Sequence, residues 1–320
     1  MKILGLTILA VVTVCATSFL TDKSSYSKWE IENNSQSISW VKFEWTNEEF
    51  SGKYFEKTAM FIPCKVDGIA NVVTFQFDLG SDLTGIYENT FRSFYRQTPE
   101  LEQKIKRLKS GLQFWNKRKV FNNLSILFGN YTASNKNAFV FKNYGDKMEI
   151  NNPKDTIHIG TIGADLFKNR VLIIDYPNKQ FAICENIPEN YNRNLVDIEL
   201  DKHGRIILPM TINSKKYRIM FDNGSSIFPI ITNAKNISNY STTADIDTIQ
   251  ISSWGQKHGV TGKLIKDTFE LAGQKFSNVK VYANHSGLGI DNETDGATGN
   301  VLFWNKTIII DFKNKKFGVK

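Results

Sequence analysis

Two short turns in this chain could place a pair of carboxylates for acid–base chemistry. In each, an apolar segment ends in Phe-Asp-X-Gly-Ser: residues 77–81 contain Asp78, and residues 221–225 contain Asp222. Glycine in such a turn lets the backbone approach another group closely, and serine can donate a hydrogen bond to the carboxylate. One Asp-Gly turn alone indicates only an ordinary loop with a solvated carboxylate. Two matched copies indicate a site to which both aspartates contribute.

The two turns belong to a duplicated unit. Residues 160–183 align without a gap on residues 296–319, at an offset of 136, with 11 identities in 24 positions. The Asp-X-Gly-Ser turns are themselves offset by 144. The duplication predicts two like halves related by an approximate twofold axis, with one aspartate from each half near that axis.

The segments before both aspartates are predicted to be β-hairpins. Residues 60–66 and 72–77 alternate and are rich in β-branched and aromatic side chains, with a turn between them at residues 67–68. Residues 206–212 and 217–221 repeat the pattern around a turn at residues 213–214. Residues 139–142 and 278–283 are predicted to be further short strands.

One helix is predicted, as an insertion in the first half. Thr98 can cap it, Pro99 suits its first helical position, and Gly111 can end it. An apolar stripe runs along it at Leu101, Ile105 and Leu108. The expected class is therefore all-β, with one small inserted helix.

Composition and charge narrow the function classes. The chain has 320 residues, 41% of them hydrophobic, and only seven prolines, so a folded protein of two domains is expected. The net charge of +8 comes from lysines that are spread along the chain. Because no basic stripe is interleaved with aromatic residues, no nucleic-acid partner is expected.

The N-terminal residues 1–20 resemble an export signal. Lys2 is followed by an apolar run over residues 3–16, which is short for a membrane span. Val14-Cys15-Ala16 offers a cleavage site, Cys15 offers a lipidation site, and a retained anchor reaching Leu20 is a third alternative. All three predict an exported protein, secreted, periplasmic or attached to a membrane through its N-terminus. Cys64 and Cys184 either pair in an oxidising compartment or remain as two buried thiols.

The expected organisation follows from these patterns. Residues 21–56 form a lead-in segment without assigned chemistry, residues 57–190 an N-terminal β lobe with Asp78, and residues 195–320 a C-terminal β lobe with Asp222. The two lobes are joined near residues 185–194.

The turns and repeats together resemble the pepsin-like and retropepsin-like aspartic proteases. Each lobe in that family has Asp-Thr/Ser-Gly-Ser/Thr after a strand, and later an apolar pair and a glycine in a loop that crosses beneath the aspartate. Residues 161–163 (Thr-Ile-Gly) and 297–299 (Ala-Thr-Gly) look like that loop, and an apolar strand follows each. The resemblance covers residue 58 to the end of the chain.

The resemblance implies a two-lobed pepsin-like fold and an aspartic endopeptidase that cleaves peptide or protein substrates. One of Asp78 and Asp222 would take a proton from a water molecule while the other protonates the scissile carbonyl, and no metal or cofactor takes part. Because both lobes are in one chain, a monomer with one active site is expected.

The supporting roles come from the same resemblance. Gly80 and Gly224 would bring backbone amides near the carboxylates, and Ser81 and Ser225 would brace them. The sequence departs from the family at the position after each aspartate. Leu79 and Asn223 replace threonines whose hydroxyls interlock the two loops, and Thr298 is more polar than the family pattern.

Those departures keep an alternative open: a protein of the same fold that binds peptide or polymer with little or no cleavage. A serine hydrolase fits poorly because no Gly-X-Ser-X-Gly motif occurs, and a zinc enzyme fits poorly because the four histidines have no metal-ligand spacing. Tyr131 and Trp254-Gly255 are candidates for the tip of a substrate-covering flap. The interpretation as aromatic residues packed on hairpins is preferred, so they are left out of the site.

Overall fold

The computed structural model describes residues 28–33, 37–108, 118–150, 152, 155–253, 256–285 and 293–320. The predicted export signal, Gly111 and Trp254-Gly255 lie outside these residues. No helix among the described residues is long and apolar enough to cross a membrane.

The predicted all-β class is confirmed, since strands dominate both halves. The first half contains strands β1–β12: Glu30–Asn33, Val41–Lys42, Glu44–Phe50, Lys53–Val66, Val73–Phe77, Gly85–Tyr87, Ile105–Leu108, Arg118–Phe128, Tyr131–Phe141, Ile157–Ile162, Val171–Asp175 and Gln180–Cys184. The second half contains strands β13–β25: Leu195–Asp197, Glu199–Leu200, Ile206–Ile212, Lys215–Phe221, Ile230–Asn233, Asp247–Ser253, Gln256–Ile265, Phe269–Leu271, Gln274–Phe276, Val279–Asn284, Gly296–Thr298, Thr307–Asp311 and Lys316–Val319. Two five-residue helices, α1 (Glu88–Arg92) and α2 (Glu100–Lys104), lie in the first half.

Each half builds a large sheet of its own, and the two sheets treat the aspartate in the same way. The first half forms a nine-stranded sheet in which β5 lies parallel to β10, and the second forms a ten-stranded sheet in which β16 lies parallel to β23. Asp78 and Asp222 follow directly after β5 and β16. The backbone N–H of Asp78 donates to the carbonyl of Ile162 at 2.9 Å, and that of Asp222 to the carbonyl of Thr298 at 2.9 Å. The repeated segment therefore anchors the aspartate in both halves.

A third sheet of six strands joins the halves, in the order β13-β25-β24-β11-β12-β2. Its middle pair is β11 and β24, which are antiparallel and belong to different halves. Ile173 lies opposite Ile309 at the centre of that pair. These two residues are equivalent in the duplication, because their numbers differ by 136. The chain thus has an approximate twofold axis through this pair.

Both predicted hairpins are present, as β4–β5 and β15–β16. The predicted helix is wrong in extent, because α2 ends at Lys104 and Ile105 begins β7. Ile105 lies opposite Phe121 of β8 in an antiparallel pair. Pairing with β8 therefore overrides the helical spacing of the apolar stripe, and β-branched Ile105 suits a strand.

The segment before residue 57 is built into the sheets. β1 pairs with β9, β2 with β12, and β3 with β4. The tip of the β3–β4 hairpin reaches the second half, where the Ser51 hydroxyl accepts from the N–H of Gln250 at 2.9 Å and Lys53 pairs with Asp247. This hairpin is a strap between the two halves.

The two cysteines among the described residues are free thiols. Cys64 is buried in β4, and Cys184 is half-buried at the end of β12. Of the two alternatives that the sequence left open, the unpaired thiols are the ones observed.

Candidate active site

The fold brings the two aspartates together, although they are far apart in sequence. Both side chains are buried, with 0% exposure. A Cβ atom added to Gly80 would lie 2.3 Å from Oδ1 of Asp222, and one added to Gly224 would lie 2.5 Å from Oδ1 of Asp78. Each glycine therefore presents its bare backbone to the carboxylate of the other half. No larger residue fits at either position without movement of a carboxylate.

Each carboxylate is held by backbone amides of its own turn. Oδ1 of Asp78 accepts from the N–H groups of Gly80 and Ser81, at 3.0 and 3.2 Å. Oδ1 of Asp222 accepts from the corresponding amides of the second turn, at 2.9 and 3.3 Å. Hydrogen bonds to the ionised form favour a charged carboxylate, so the turns can hold negative charge in spite of burial.

The two serine hydroxyls differ. Ser225 Oγ donates to Oδ2 of Asp222 at 2.8 Å. Ser81 Oγ instead donates to the carbonyl of Leu83 at 2.9 Å, so Ser81 supports Asp78 through its backbone N–H. The sequence suggested matched braces because the motif is the same. The difference is set by the local loop, where the Leu83 carbonyl competes for the Ser81 hydroxyl.

The electrostatics of the pair favour retention of a proton. Burial, followed by the negative charge of Asp78, raises the pKa of Asp222 well above its usual range. The hydrogen bonds from Ser225 and Gly224 act in the opposite direction but do not outweigh these effects. Two buried carboxylates this close cannot both ionise readily, so one proton is shared between them over a wide pH range.

The two loops of the repeated segment lie against the aspartate turns. A Cβ atom on Gly163 would lie 2.7 Å from the carbonyl oxygen of Ser81, and one on Gly299 would lie 2.1 Å from that of Ser225. The N–H of Ala164 donates to the same Ser81 carbonyl at 2.9 Å. In both halves a glycine therefore permits the close crossing of these two segments.

The positions after the aspartates form a contact across the halves. Leu79 places its side chain in the apolar core, and its backbone N–H donates to Oδ1 of Asn223. Asn223 is fully buried. The side chain of the second turn thus reaches the backbone of the first, whereas leucine has no polar atom with which to return the contact.

A further pair of contacts was not predicted from the sequence. Asp82, four residues after Asp78, lies 3.4 Å from Nδ1 of His203 in the second half. Ser226, four residues after Asp222, donates from its hydroxyl to the carbonyl of Lys57 in the first half. The equal spacing from the aspartates was visible in the sequence, but neither partner carries a local signal.

Asp165 supports the first turn from behind. Its Oδ1 accepts from the N–H and hydroxyl of Thr84, at 2.7 and 2.6 Å, and its Oδ2 accepts from the indole N–H of Trp29 at 3.2 Å. Burial, aided by the charge of Asp82, raises the pKa of Asp165 to about 7 although the Thr84 bonds lower it. This carboxyl was also missed, because nothing in the sequence links it to Thr84.

The preferred interpretation of Tyr131 is confirmed. The side chain is buried, and its hydroxyl donates to the carbonyls of Ser39 and Ile183 at 2.9 and 3.0 Å. It is a packed aromatic residue on the β8–β9 hairpin.

Among the described residues, no three His, Cys, Asp or Glu side chains are grouped so as to hold a metal ion. The chain matches no protein-family model and none of the curated proteins. The argument about function therefore rests on the geometry of the site.

Proposed function

We propose that this chain is an aspartic endopeptidase of the pepsin-like and retropepsin-like type, with one active site built from Asp78 and Asp222. The observation that carries the proposal is the reciprocal approach of Gly80 to Asp222 and of Gly224 to Asp78. Two halves with the same turn have been brought face to face with their carboxylates adjacent. Such an arrangement suits a reaction that needs one acid and one base at a single site.

The chemistry follows from the shared proton. With one proton on the pair, the ionised carboxylate accepts a proton from a water molecule while the protonated carboxyl donates its own to the oxygen of the scissile amide. The water oxygen then bonds to the carbonyl carbon. Collapse of the tetrahedral intermediate breaks the C–N bond, and the amine leaves with a proton returned from the pair. The side chain at fault in any one step belongs to a coupled pair, so neither aspartate has a fixed role.

The backbone amides explain how the pair works while buried. Because the N–H groups of the two turns already point at Oδ1 of each aspartate, no reorganisation is needed when the proton moves between the carboxyls. As one chain supplies both aspartates, the active unit proposed is a monomer that acts on peptide or protein. Export is part of the proposal, on the basis of the N-terminal sequence.

The alternative is a protein that binds peptide or polymer without cleaving it. The observation in its favour is Leu79, which leaves the contact between the two turns one-sided. Against it stands the full set of amide hydrogen bonds to both carboxylates, because binding alone places no demand on a matched pair.

The test is cleavage of a diverse peptide library between pH 3 and pH 8, scored by mass spectrometry. Asp78→Asn and Asp222→Asn are each expected to lose about a thousandfold in rate. Asp67→Asn is a matched control, since Asp67 also lies in an Asp-Gly turn, at the other end of the β4–β5 hairpin. Cleavage by all variants alike would refute the proposal. Retention of peptides by a folded wild-type protein that cleaves none would favour the binding alternative.

A further inference from the structure

A buried chain of hydrogen bonds crosses between the halves twice beneath the aspartates. It begins in the first half at Tyr176, whose hydroxyl donates to Oδ1 of Asn300 in the second half. Nδ2 of Asn300 donates to the backbone carbonyl of Asn223 at 2.9 Å. Oδ1 of Asn223 then accepts from the N–H of Leu79, back in the first half and adjacent to Asp78.

The members of this chain are enclosed. Asn223 and Asn300 both have 0% exposure, and Tyr176 is also buried. Both asparagine Nδ2 groups face the sulfur of Met60, at 3.9 and 3.5 Å. Removing one partner of a buried hydrogen bond leaves the other unsatisfied, so such a network strongly favours a single arrangement of the two turns.

The chain is one-sided, in contrast to the symmetric turns above it. The duplication places Ala164 at the position of Asn300 and Phe312 at the position of Tyr176. Leu79 occupies the position of Asn223. None of these three side chains carries a hydrogen-bonding group, so the first half has no counterpart of the network. The second half alone supplies the side chains that join the two turns.

We propose that Asn223, held by Asn300, is a positioning residue that keeps the Asp78 and Asp222 carboxylates close enough to share a proton. This inference rests on the proposed function for its role in cleavage, although the positioning itself can be measured without it. The physical need is plain: as the pair ionises, repulsion between the carboxylates pushes the turns apart. A neutral amide hydrogen bond between the turns resists that repulsion without adding charge to the site.

The expected effect of losing the contact can be worked from Coulomb's law. If the carboxylates separate from about 4 Å to about 6 Å, the weaker repulsion lowers the upper apparent pKa of the pair by about one unit at an effective dielectric constant of about 20. The alkaline limb of the pH–rate profile is then expected to move by about one pH unit towards acid. Loss of geometry is expected to lower kcat by about a hundredfold.

Two nearly isosteric variants separate positioning from packing. Asn223→Thr keeps an oxygen that can accept from the N–H of Leu79, whereas Asn223→Val has the same shape without an acceptor. Asn71→Val is the control, because Asn71 is also buried and its amide donates to the backbone carbonyls of Asn152 and Asp155, at the opposite end of β5 from Asp78. It is expected to lower stability and to leave the pH profile unchanged.

The readout is the titration of ¹³C-labelled aspartate carboxyls, assigned with Asp78→Asn and Asp222→Asn, beside the pH–rate profile. A shift in Asn223→Val that is absent in Asn223→Thr and Asn71→Val supports the inference, even when no peptide is cleaved and the proposed function has failed. Equal titration of the pair in all variants overturns it, even when the wild-type protein is an active protease.

A second measurement applies should Asn223→Val not fold. In the wild-type protein, the Leu79 amide is expected to exchange its hydrogen only on global unfolding, and Asn223→Thr is expected to preserve that protection. Rapid exchange of this amide in the folded wild-type protein would overturn the inference, because the contact would then be absent in solution.

Discussion

Replacement of Gly80 by alanine tests the closeness of the two halves. The added Cβ would lie 2.3 Å from both Cγ and Oδ1 of Asp222, where an ordinary contact is 3.4 Å or more. The carboxyl group or the turn must therefore move by about 1 Å. A displacement of that size at a reacting group lowers the rate by about a hundredfold, which corresponds to about 2.7 kcal/mol in the activation free energy.

The same substitution should also be felt in stability. Forcing a methyl group into a filled site typically costs about 1–3 kcal/mol of the free energy of unfolding. Gly259→Ala is the matched control, because Gly259 lies in β19 and its added Cβ meets only the flexible side chain of Gln250, at 3.2 Å. The assay is peptide cleavage at saturating substrate together with urea unfolding.

The outcome that refutes the reasoning is specific. If Gly80→Ala cleaves peptide at the wild-type rate and unfolds at the same urea concentration as Gly259→Ala, the Gly80 backbone does not lie against Asp222 in solution. The stability measurement decides this point even in the absence of cleavage. A loss of rate with unchanged stability would place the displacement in the carboxyl group alone.

Three further predictions concern groups around the site. The raised pKa of Asp165 means that the stability it contributes is fully present below about pH 4 and lost as the pH rises to about 7, so wild-type stability should fall between pH 4 and pH 8 by up to about 4 kcal/mol more than that of Asp165→Asn; parallel urea-unfolding profiles would contradict this. Burial raises the pKa of Asp247, but hydrogen bonds from Lys53 and Lys280 outweigh it and lower the pKa to about 2, so Asp247→Asn should cost about 1 kcal/mol at pH 7 and almost nothing at pH 2; an equal cost at both pH values would show that the ion pairs of the strap contribute nothing. Cys184 should react with a thiol reagent in the folded protein and Cys64 only after unfolding, because burial shields Cys64 and raises its pKa; a disulfide between them in the intact mass would contradict this.

The parts that sequence reasoning reached are those with a local or repeated signal. The hairpins β4–β5 and β15–β16 follow from alternation within a few residues, and the turns after them follow from Asp-X-Gly-Ser. The gapless repeat over residues 160–183 and 296–319 is also visible directly. Together these observations predicted that Asp78 and Asp222 would meet, and the structure places them side by side.

The parts that it missed depend on partners distant in the chain. Ile105 has helical spacing with its neighbours, yet pairing with β8 makes it a strand residue. Asn300 looks like any loop asparagine until the fold places it between Tyr176 and Asn223. The Ser81 hydroxyl differs from that of Ser225 only because a nearby carbonyl competes for it. In each case the deciding interaction is tertiary, and a single sequence does not encode it locally.

The most direct test of the central claim is a double-mutant cycle on cleavage with Asp78→Asn, Asp222→Asn and the double variant. Two aspartates that share one proton act as a unit, so each single variant is expected to lose nearly as much rate as the double variant. Losses that multiply, or a single variant that retains the wild-type rate, would contradict a shared pair.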